Sequence, residues 1–160
     1  MNSRLNIFVK RMLDVLFFGG IVLWALMPVL LRRILVLYTS LAQHGPKPEL
    51  SAVMEAYVPT LISVITGGAL ALLILWELRR MMGTVLADQC FVKENVISLR
   101  RMSRYGIAIA ALFFIRSFFF FTLSGTLVSA VFLIAGLFSQ VLSIVFDKAV
   151  QYKLENDLTI

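Results

Sequence analysis

Four long apolar segments, separated by short polar stretches, dominate the pattern of hydrophobic and polar positions along the chain. They cover about residues 12–31, 57–76, 105–123 and 127–146. A helix needs about 20 mostly apolar residues to cross a hydrocarbon core of roughly 30 Å, so each segment is long enough to span a membrane. The pattern predicts an all-α integral membrane protein, a bundle of four transmembrane helices that forms a single membrane domain over residues 1–160.

The longest polar stretch, residues 79–104, connects the second span to the third. Within it Val92, Val96 and Leu99 recur at i, i+4 and i+7, which is one face of a helix. We therefore expect a helical connector whose amphipathic helix starts near Lys93 and joins two antiparallel transmembrane hairpins.

Two shorter polar segments follow the connector. Residues 124–126, Ser-Gly-Thr, are small and uncharged and predict a tight turn between the third and fourth spans. After the fourth span, residues 148–160 form a tail that carries acidic residues together with Leu158 and Ile160. Because the tail and the basic connector have opposite charge and matching apolar residues, we expect the tail to pack on the connector helix.

The distribution of Lys and Arg predicts the orientation. Eleven of the 15 basic residues lie in the N-terminal segment, the connector and the tail, three lie between the first two spans, and Arg116 lies inside the third span. Loops rich in Lys and Arg stay in the cytoplasm, so both termini and the connector are expected there. The net charge of +6 then reflects topology, and no direct binding of nucleic acid is expected.

Composition agrees with the membrane class, since 60% of the residues are hydrophobic and only 15% are charged. Helices in lipid associate through close backbone approach, which small residues allow. Gly19 and Gly20 of the first span are therefore expected to meet Gly67 and Gly68 of the second. On the third and fourth spans, the small residues expected to face each other are Ala108, Ala110 and Ala111, and Gly136, Ser139 and Ser143.

Arg116 is the exceptional residue of the spans, about eleven residues into the third one. An Arg at the centre of a bilayer costs roughly 2.5–3.5 kcal/mol on insertion scales, so a polar partner is expected. The candidates are Gln140, Thr66 and, toward the outer surface, Glu55. Three roles stay open: packing through a polar pair, a substrate or ion site, and contact with lipid headgroups.

Three acidic residues, Asp14, Glu77 and Asp147, lie near the cytoplasmic ends of their spans. They are compatible with an acidic ring, or with separate ion pairs to nearby Lys and Arg.

The sequence contains no motif for catalysis or for a cofactor. Cys90 and His44 are the only residues of their types, so an N/S-ligated metal site within one chain is not expected. No phosphate-binding glycine loop and no histidine-bearing triad occurs. We expect a protein that is not an enzyme and that has no cofactor.

Two segments resemble a known family when they are taken together. The segment FVKENVISLRRMSRYG, residues 91–106, and the closing ENDLTI, residues 155–160, resemble the YoaS-like DUF2975 family of small bacterial four-span membrane proteins of unknown function. Cys90 and Val92 depart from the family, which often has Pro and a hydroxyl residue at these positions. The resemblance implies a bacterial cytoplasmic (inner) membrane protein, and it implies a partner, because such proteins are often encoded beside a small helix-turn-helix regulator.

These observations favour an accessory or regulatory membrane protein, a sensor or a sequestering protein, whose connector and tail bind a cytoplasmic partner. The residues of this predicted face are Phe91, Glu94, Asn95, Arg100, Arg101, Glu155, Asn156 and Asp157. One alternative is a small-solute or ion transporter or channel, compatible with a homo-oligomer, that uses Arg116. Another is a protein whose basic connector binds anionic membrane lipids.

Overall fold

The computed structural model describes residues 3–41, 50–119 and 123–157, and all of them except one short turn are helical. The helices are α1 (Ser3–Leu41), α2 (Leu50–Leu86), α3 (Lys93–Phe119) and α4 (Leu123–Asp157). Each contains a stretch that is long and apolar enough to cross a membrane. The prediction of an all-helical chain with four such helices is confirmed, and α3 begins at the predicted Lys93.

The break between α3 and α4 lies earlier than the sequence pattern predicts. Residues 124–126 belong to the first turns of α4, so the turn predicted there is wrong. Thr126 binds α3, since its hydroxyl group lies 2.7 Å from that of Ser117, and about one turn later Ser129 donates to the carbonyl of Ala110 at 2.8 Å. Short hydroxyl side chains fit between closely packed helices, so they do not by themselves mark a chain reversal.

The fourth helix also continues further than predicted. It runs to Asp157, and the side chains of residues 151–156 are exposed along it. The described part of the predicted tail is therefore an extension of α4. Leu158 and Ile160, on which the predicted packing against the connector depends, lie outside the described residues.

Close backbone contact occurs only between consecutive helices. Within the described residues, Cα atoms of α1 come within 8 Å only of α2, and those of α4 only of α3. The described parts of the four helices therefore pack as a row in chain order, α1 on α2, α2 on α3 and α3 on α4. Burial follows the same order, since 28% of the apolar stretch of α3 is buried and none of that of α1.

The most deeply buried side chains among the described residues are mainly small and polar. Asn95, Ser98, Ser103 and Ser143 are each at most 2% exposed, as is Ile109. In lipid an apolar side chain gains little by moving against a neighbouring helix, so small residues and polar contacts hold the helices together.

The backbones of α3 and α4 come closest at Gly106 and Gly136. A Cβ atom on Gly106 would lie 3.1 Å from the Cα of Gly136. Gly136 and the buried Ala110 belong to the predicted interface, whereas Ala108 and Ala111 are exposed and their predicted contact is wrong. Gly106 was missed, although its spacing of four from Ala110 is the small-xxx-small pattern of close helix pairs.

Two of the four glycines predicted between α1 and α2 lie at that interface, but not against each other. A Cβ on Gly20 would lie 3.0 Å from Leu72, and one on Gly68 would lie 2.7 Å from the ring of Trp24. The Trp24 indole also donates a hydrogen bond of 2.9 Å to the carbonyl of Ile65. A large aromatic residue on α1 therefore fills the space that Gly68 leaves on α2.

The other two glycines correct the prediction. Gly67 faces α3, where a Cβ would lie 2.8 Å from the ring of Phe113. Gly19 is exposed, with no atom within 4 Å of the position its Cβ would take. Adjacent residues on a helix point about 100° apart, so a pair of neighbouring glycines does not share one interface.

Candidate functional site

An arginine and an aspartate join α1 to α2. Nε of Arg79 donates to Asp14 at 2.7 Å. The guanidinium carbon also lies 4.6 Å from the centre of the Phe17 ring, 5.2 Å from Phe18 and 5.9 Å from Trp76. The three aromatic rings and the carboxylate together hold this guanidinium in one place.

A buried carboxylate joins α2 to α3. Glu77 is 4% exposed, accepts a hydrogen bond of 2.7 Å from Ser98, and pairs with Nη1 of Arg101 at 3.1 Å. A buried charge needs such partners, because removal from water costs several kcal/mol. This contact fixes the rotation of α3 against α2.

The turn between α2 and α3, residues 87–92, is closed by a Schellman motif. Asp88 has a φ of 54°, in the left-handed region. Its amide donates to the carbonyl of Val85 at 3.2 Å, and the amide of Gln89 donates to that of Thr84 at 2.9 Å. Glycine is usual at this position, and Asp is among the few other residues that adopt it.

Asn95 holds this turn from the side of α3. Its side-chain amide donates to the carbonyl of Cys90 at 2.8 Å, and its carbonyl oxygen accepts from the Thr84 hydroxyl at 2.9 Å. The backbone amide of Asn95 also donates to the carbonyl of Val92 at 3.1 Å. Asn95 is only 2% exposed, so its predicted place on a partner-binding face is wrong.

Two contacts join the start of α3 to the end of α4. Arg100 pairs with Asp147 at 2.9 Å, and the rings of Phe91 and Phe146 lie 5.5 Å apart. These contacts join one end of each helix in a single region, which we call the basic end. It contains the start of α1, the end of α2, the start of α3 and the end of α4. Here Asp14, Glu77 and Asp147 pair with Arg79, Arg101 and Arg100, so they form separate ion pairs between helices and not an acidic ring.

The remaining residues of the predicted partner face have mixed positions. Phe91 is 46% exposed, and Glu94 and Arg100 are also exposed. Arg101 is half-buried and bound to Glu77. At the end of α4, Glu155 and Asn156 are exposed, and the side chain of Asp157 lies outside the described residues. The exposed residues of this face therefore lie partly on the turn and α3 and partly on the end of α4.

Arg116 lies at the opposite end, in the last turn of α3. Its position near mid-span was therefore predicted wrongly, because the helix ends at Phe119 and α4 begins at Leu123. Nη2 donates to the Thr60 hydroxyl at 3.2 Å, and Nε is buried without a hydrogen-bond partner among the described residues.

Two of the three partners predicted for this arginine, Thr66 and Gln140, are not bound to it in the structure. Thr66 and Gln140 are exposed on α2 and α4, and the side chain of Glu55 lies outside the described residues. The actual partner, Thr60, is six residues, nearly two turns, before Thr66 on α2, a difference that follows from the earlier end of α3.

No group of three or more His, Cys, Asp or Glu in the described part of the chain has a geometry that could hold a metal ion. His44 lies outside the described residues.

Four membrane-length apolar helices, joined at one end by inter-helical ion pairs, are the architecture of a multi-pass membrane protein. Residues 41–160 match the family described as a protein of unknown function, DUF2975, and because this is well over half of the chain, the protein belongs to that family. Nearly all of α1 precedes the matched residues. No curated protein and no solved structure matches the chain.

Proposed function

We propose that this protein is a regulatory membrane protein that binds a soluble partner at its basic end, without catalytic activity of its own. The end faces the cytoplasm, both termini lie there, and the helices form two antiparallel hairpins in a bacterial cytoplasmic membrane. The charge asymmetry of the sequence supports this orientation. Eleven of the 15 Lys and Arg lie in residues 1–11, 79–104 and 148–160, whereas three lie between the first two spans and Arg116 lies in the third.

One observation carries the proposal: three helices continue past the apolar stretches and are braced against one another where they do so. Residues 77–86 of α2, 93–104 of α3 and 147–157 of α4 extend the spans by ten residues or more. Ten residues of helix are about 15 Å long, enough to reach beyond the headgroups. The buried contacts of Glu77 and Asn95 make the α2–α3 part rigid, which lowers the entropy cost of binding a partner.

The surface chemistry of this rigid part indicates the class of partner. Phe91 and Ile97 are 46% and 44% exposed, and Lys93, Arg100 and Arg104 are exposed beside them. An apolar centre with a basic rim is complementary to an acidic amphipathic helix on a soluble protein. A small helix-turn-helix regulator with such a helix fits the proposal, because binding it at the membrane would remove it from DNA.

The test is capture of partners from native membranes with the tagged full-length protein, compared with the double variant Phe91→Ala, Ile97→Ala. The matched control is Phe114→Ala, Ile115→Ala, which removes two exposed apolar side chains nearer the other end of α3. We expect one soluble protein with an acidic amphipathic helix to be enriched by the wild type and the control and lost with the double variant. Equal recovery with all three proteins would contradict the proposal.

A second candidate function is a small-solute or ion conduit past Arg116, for an anionic solute in particular. The observation that favours it is the buried Nε of this arginine, which has no hydrogen-bond partner among the described residues. Flux of small anions into vesicles that contain the protein, with and without Arg116→Leu, tests it. Flux that is absent, or unchanged by the substitution, would contradict this function.

A further inference from the structure

A cleft opens between α1 and α2 at the basic end, on the side away from α3. Its volume is about 260 Å³, and its lining residues are Lys10, Asp14, Trp76, Arg79 and Arg80. Three cationic side chains face one carboxylate, so the lining has a net charge of two positive units. A cleft of this charge attracts anions.

Two of the three cations have no other task in the fold. Lys10 and Arg80 are exposed and have no ion pair within the described residues. Arg79 uses only its Nε for Asp14, and its side chain is 25% exposed. The guanidinium is already held by aromatic rings, so little conformational entropy is lost when its other nitrogens bind an anion.

An apolar groove continues from this cleft along α1. It is a shallow groove of about 550 Å³ on one face of α1, and all of its lining residues belong to that helix, from Asp14, which also lines the cleft, past Gly19 to Leu26. Leu26 follows Asp14 by twelve positions, which correspond to about 18 Å of helix, and half the hydrocarbon core is about 15 Å thick. Gly19 has no atom of another described helix within 4 Å of its Cβ position, so the groove is open there.

Together, the cleft and the groove are complementary to a molecule that has an anionic group at one end and a hydrocarbon chain at the other. Trp76, which lines the basic cleft, is half-exposed, and Trp is typical of the interface between lipid and water. A cleft at that depth fits a phosphate group. The groove fits a hydrocarbon chain of one leaflet. We propose that α1 and α2 bind one anionic phospholipid, with its phosphate between Lys10, Arg79 and Arg80 and an acyl chain across Gly19.

This inference is independent of the soluble partner and of the orientation in the membrane. It accounts for α1, which among the described residues contacts only α2 and has no buried residue in its apolar stretch. A lipid held against both helices would add contacts that the protein alone does not provide.

The experiment measures lipid binding to the purified full-length protein by native mass spectrometry, with phosphatidylglycerol and phosphatidylcholine that have identical acyl chains. We expect the anionic lipid to bind more tightly. The variant Lys10→Gln, Arg80→Gln should weaken its binding about 30-fold, which corresponds to about 1 kcal/mol for each cation removed. Equal affinity for the two lipids would overturn the proposal.

The matched control is Lys93→Gln, Arg104→Gln, which removes the same charge from exposed positions of α3 outside the cleft. We expect it to change the affinity by less than about threefold, which corresponds to less than about 0.7 kcal/mol. If both double variants weaken binding equally, the attraction comes from total charge, and the assigned site is wrong.

The groove is tested separately with Gly19→Leu, whose side chain would fill it without displacing protein atoms. The control is Ala130→Leu, an exposed position on α4. We expect only Gly19→Leu to weaken lipid binding. Unchanged binding would overturn the acyl-chain position, and a protein dimer that Gly19→Leu dissociates would show that a second copy occupies the groove.

Inorganic phosphate distinguishes a lipid from a free anion. We expect it to displace phosphatidylglycerol only weakly, because it has no chain to occupy the groove. Displacement by phosphate at the concentration at which lipid itself binds would show that the cleft is a site for free phosphate, and would overturn the lipid assignment.

Discussion

Arg100 and Arg101 allow a direct test of how burial sets the strength of an ion pair in this fold. They are adjacent on α3, and each pairs with one carboxylate on a neighbouring helix, at 2.9 and 3.1 Å. The partners differ, because the side chain of Asp147 is 33% exposed and that of Glu77 is only 5% exposed.

Replacing each arginine by alanine should therefore have unequal effects on the free energy of unfolding. Arg101→Ala leaves the buried carboxylate of Glu77 with only the Ser98 hydroxyl, and breaking a buried pair in this way costs about 3–5 kcal/mol. Arg101 itself is 41% exposed, so we expect the lower end of that range, about 3 kcal/mol. Arg100→Ala leaves a carboxylate that water can reach, and should cost about 0–1 kcal/mol.

A second substitution identifies the cause. Glu77→Gln in the Arg101→Ala background removes the unpaired charge and keeps an acceptor for Ser98, so about 1–3 kcal/mol should return. The assay is reversible unfolding in mixed detergent micelles, followed by helical circular dichroism. Arg104→Ala, at an exposed position without an ion pair in the described part of the chain, is the control.

Equal losses for Arg100→Ala and Arg101→Ala would refute the reasoning, because partner burial would then not matter. The reasoning would also be refuted if Arg101→Ala, Glu77→Gln were no more stable than Arg101→Ala alone. The lost stability would then not come from the unpaired carboxylate of Glu77.

Three further predictions concern the packing at Gly106 and Gly19, the orientation in the membrane, and the α2–α3 turn. Gly106→Ala should cost about 1–3 kcal/mol, because its Cβ would meet backbone atoms of α4, whereas Gly19→Ala should gain up to about 1 kcal/mol in helix propensity; equal effects in the unfolding assay would contradict the close approach at Gly106. Cys90 should react with a membrane-impermeant thiol reagent only after lysis, and labelling in intact cells would place the basic end outside. Asn95→Ala should increase protease cleavage in the α2–α3 turn, while Glu94→Ala, at an exposed position, should not; unchanged cleavage with Asn95→Ala would show that this side chain does not hold the turn.

Length and local periodicity are properties of the sequence alone, and they were sufficient for the helices. Four apolar segments predicted four membrane-length helices. The recurrence of Val92, Val96 and Leu99 predicted the buried face of α3, where Val96 and Leu99 are 2% and 4% exposed, although Val92 precedes the helix and is only half-buried. The start of α3 at Lys93 was predicted in the same way. Each of these features depends on residues within a few turns of one another.

The tertiary structure alone decided how the helices are rotated and which side chains meet. Glu77 pairs with Arg101 and not with the nearby Arg79, and Gly20 is at an interface while Gly19 is exposed. In a soluble protein, the polar face of each helix would have indicated its rotation. In a membrane, lipid is as apolar as a neighbouring helix, so an apolar segment carries little information about which face is covered, and only the packing of small and polar residues selects it.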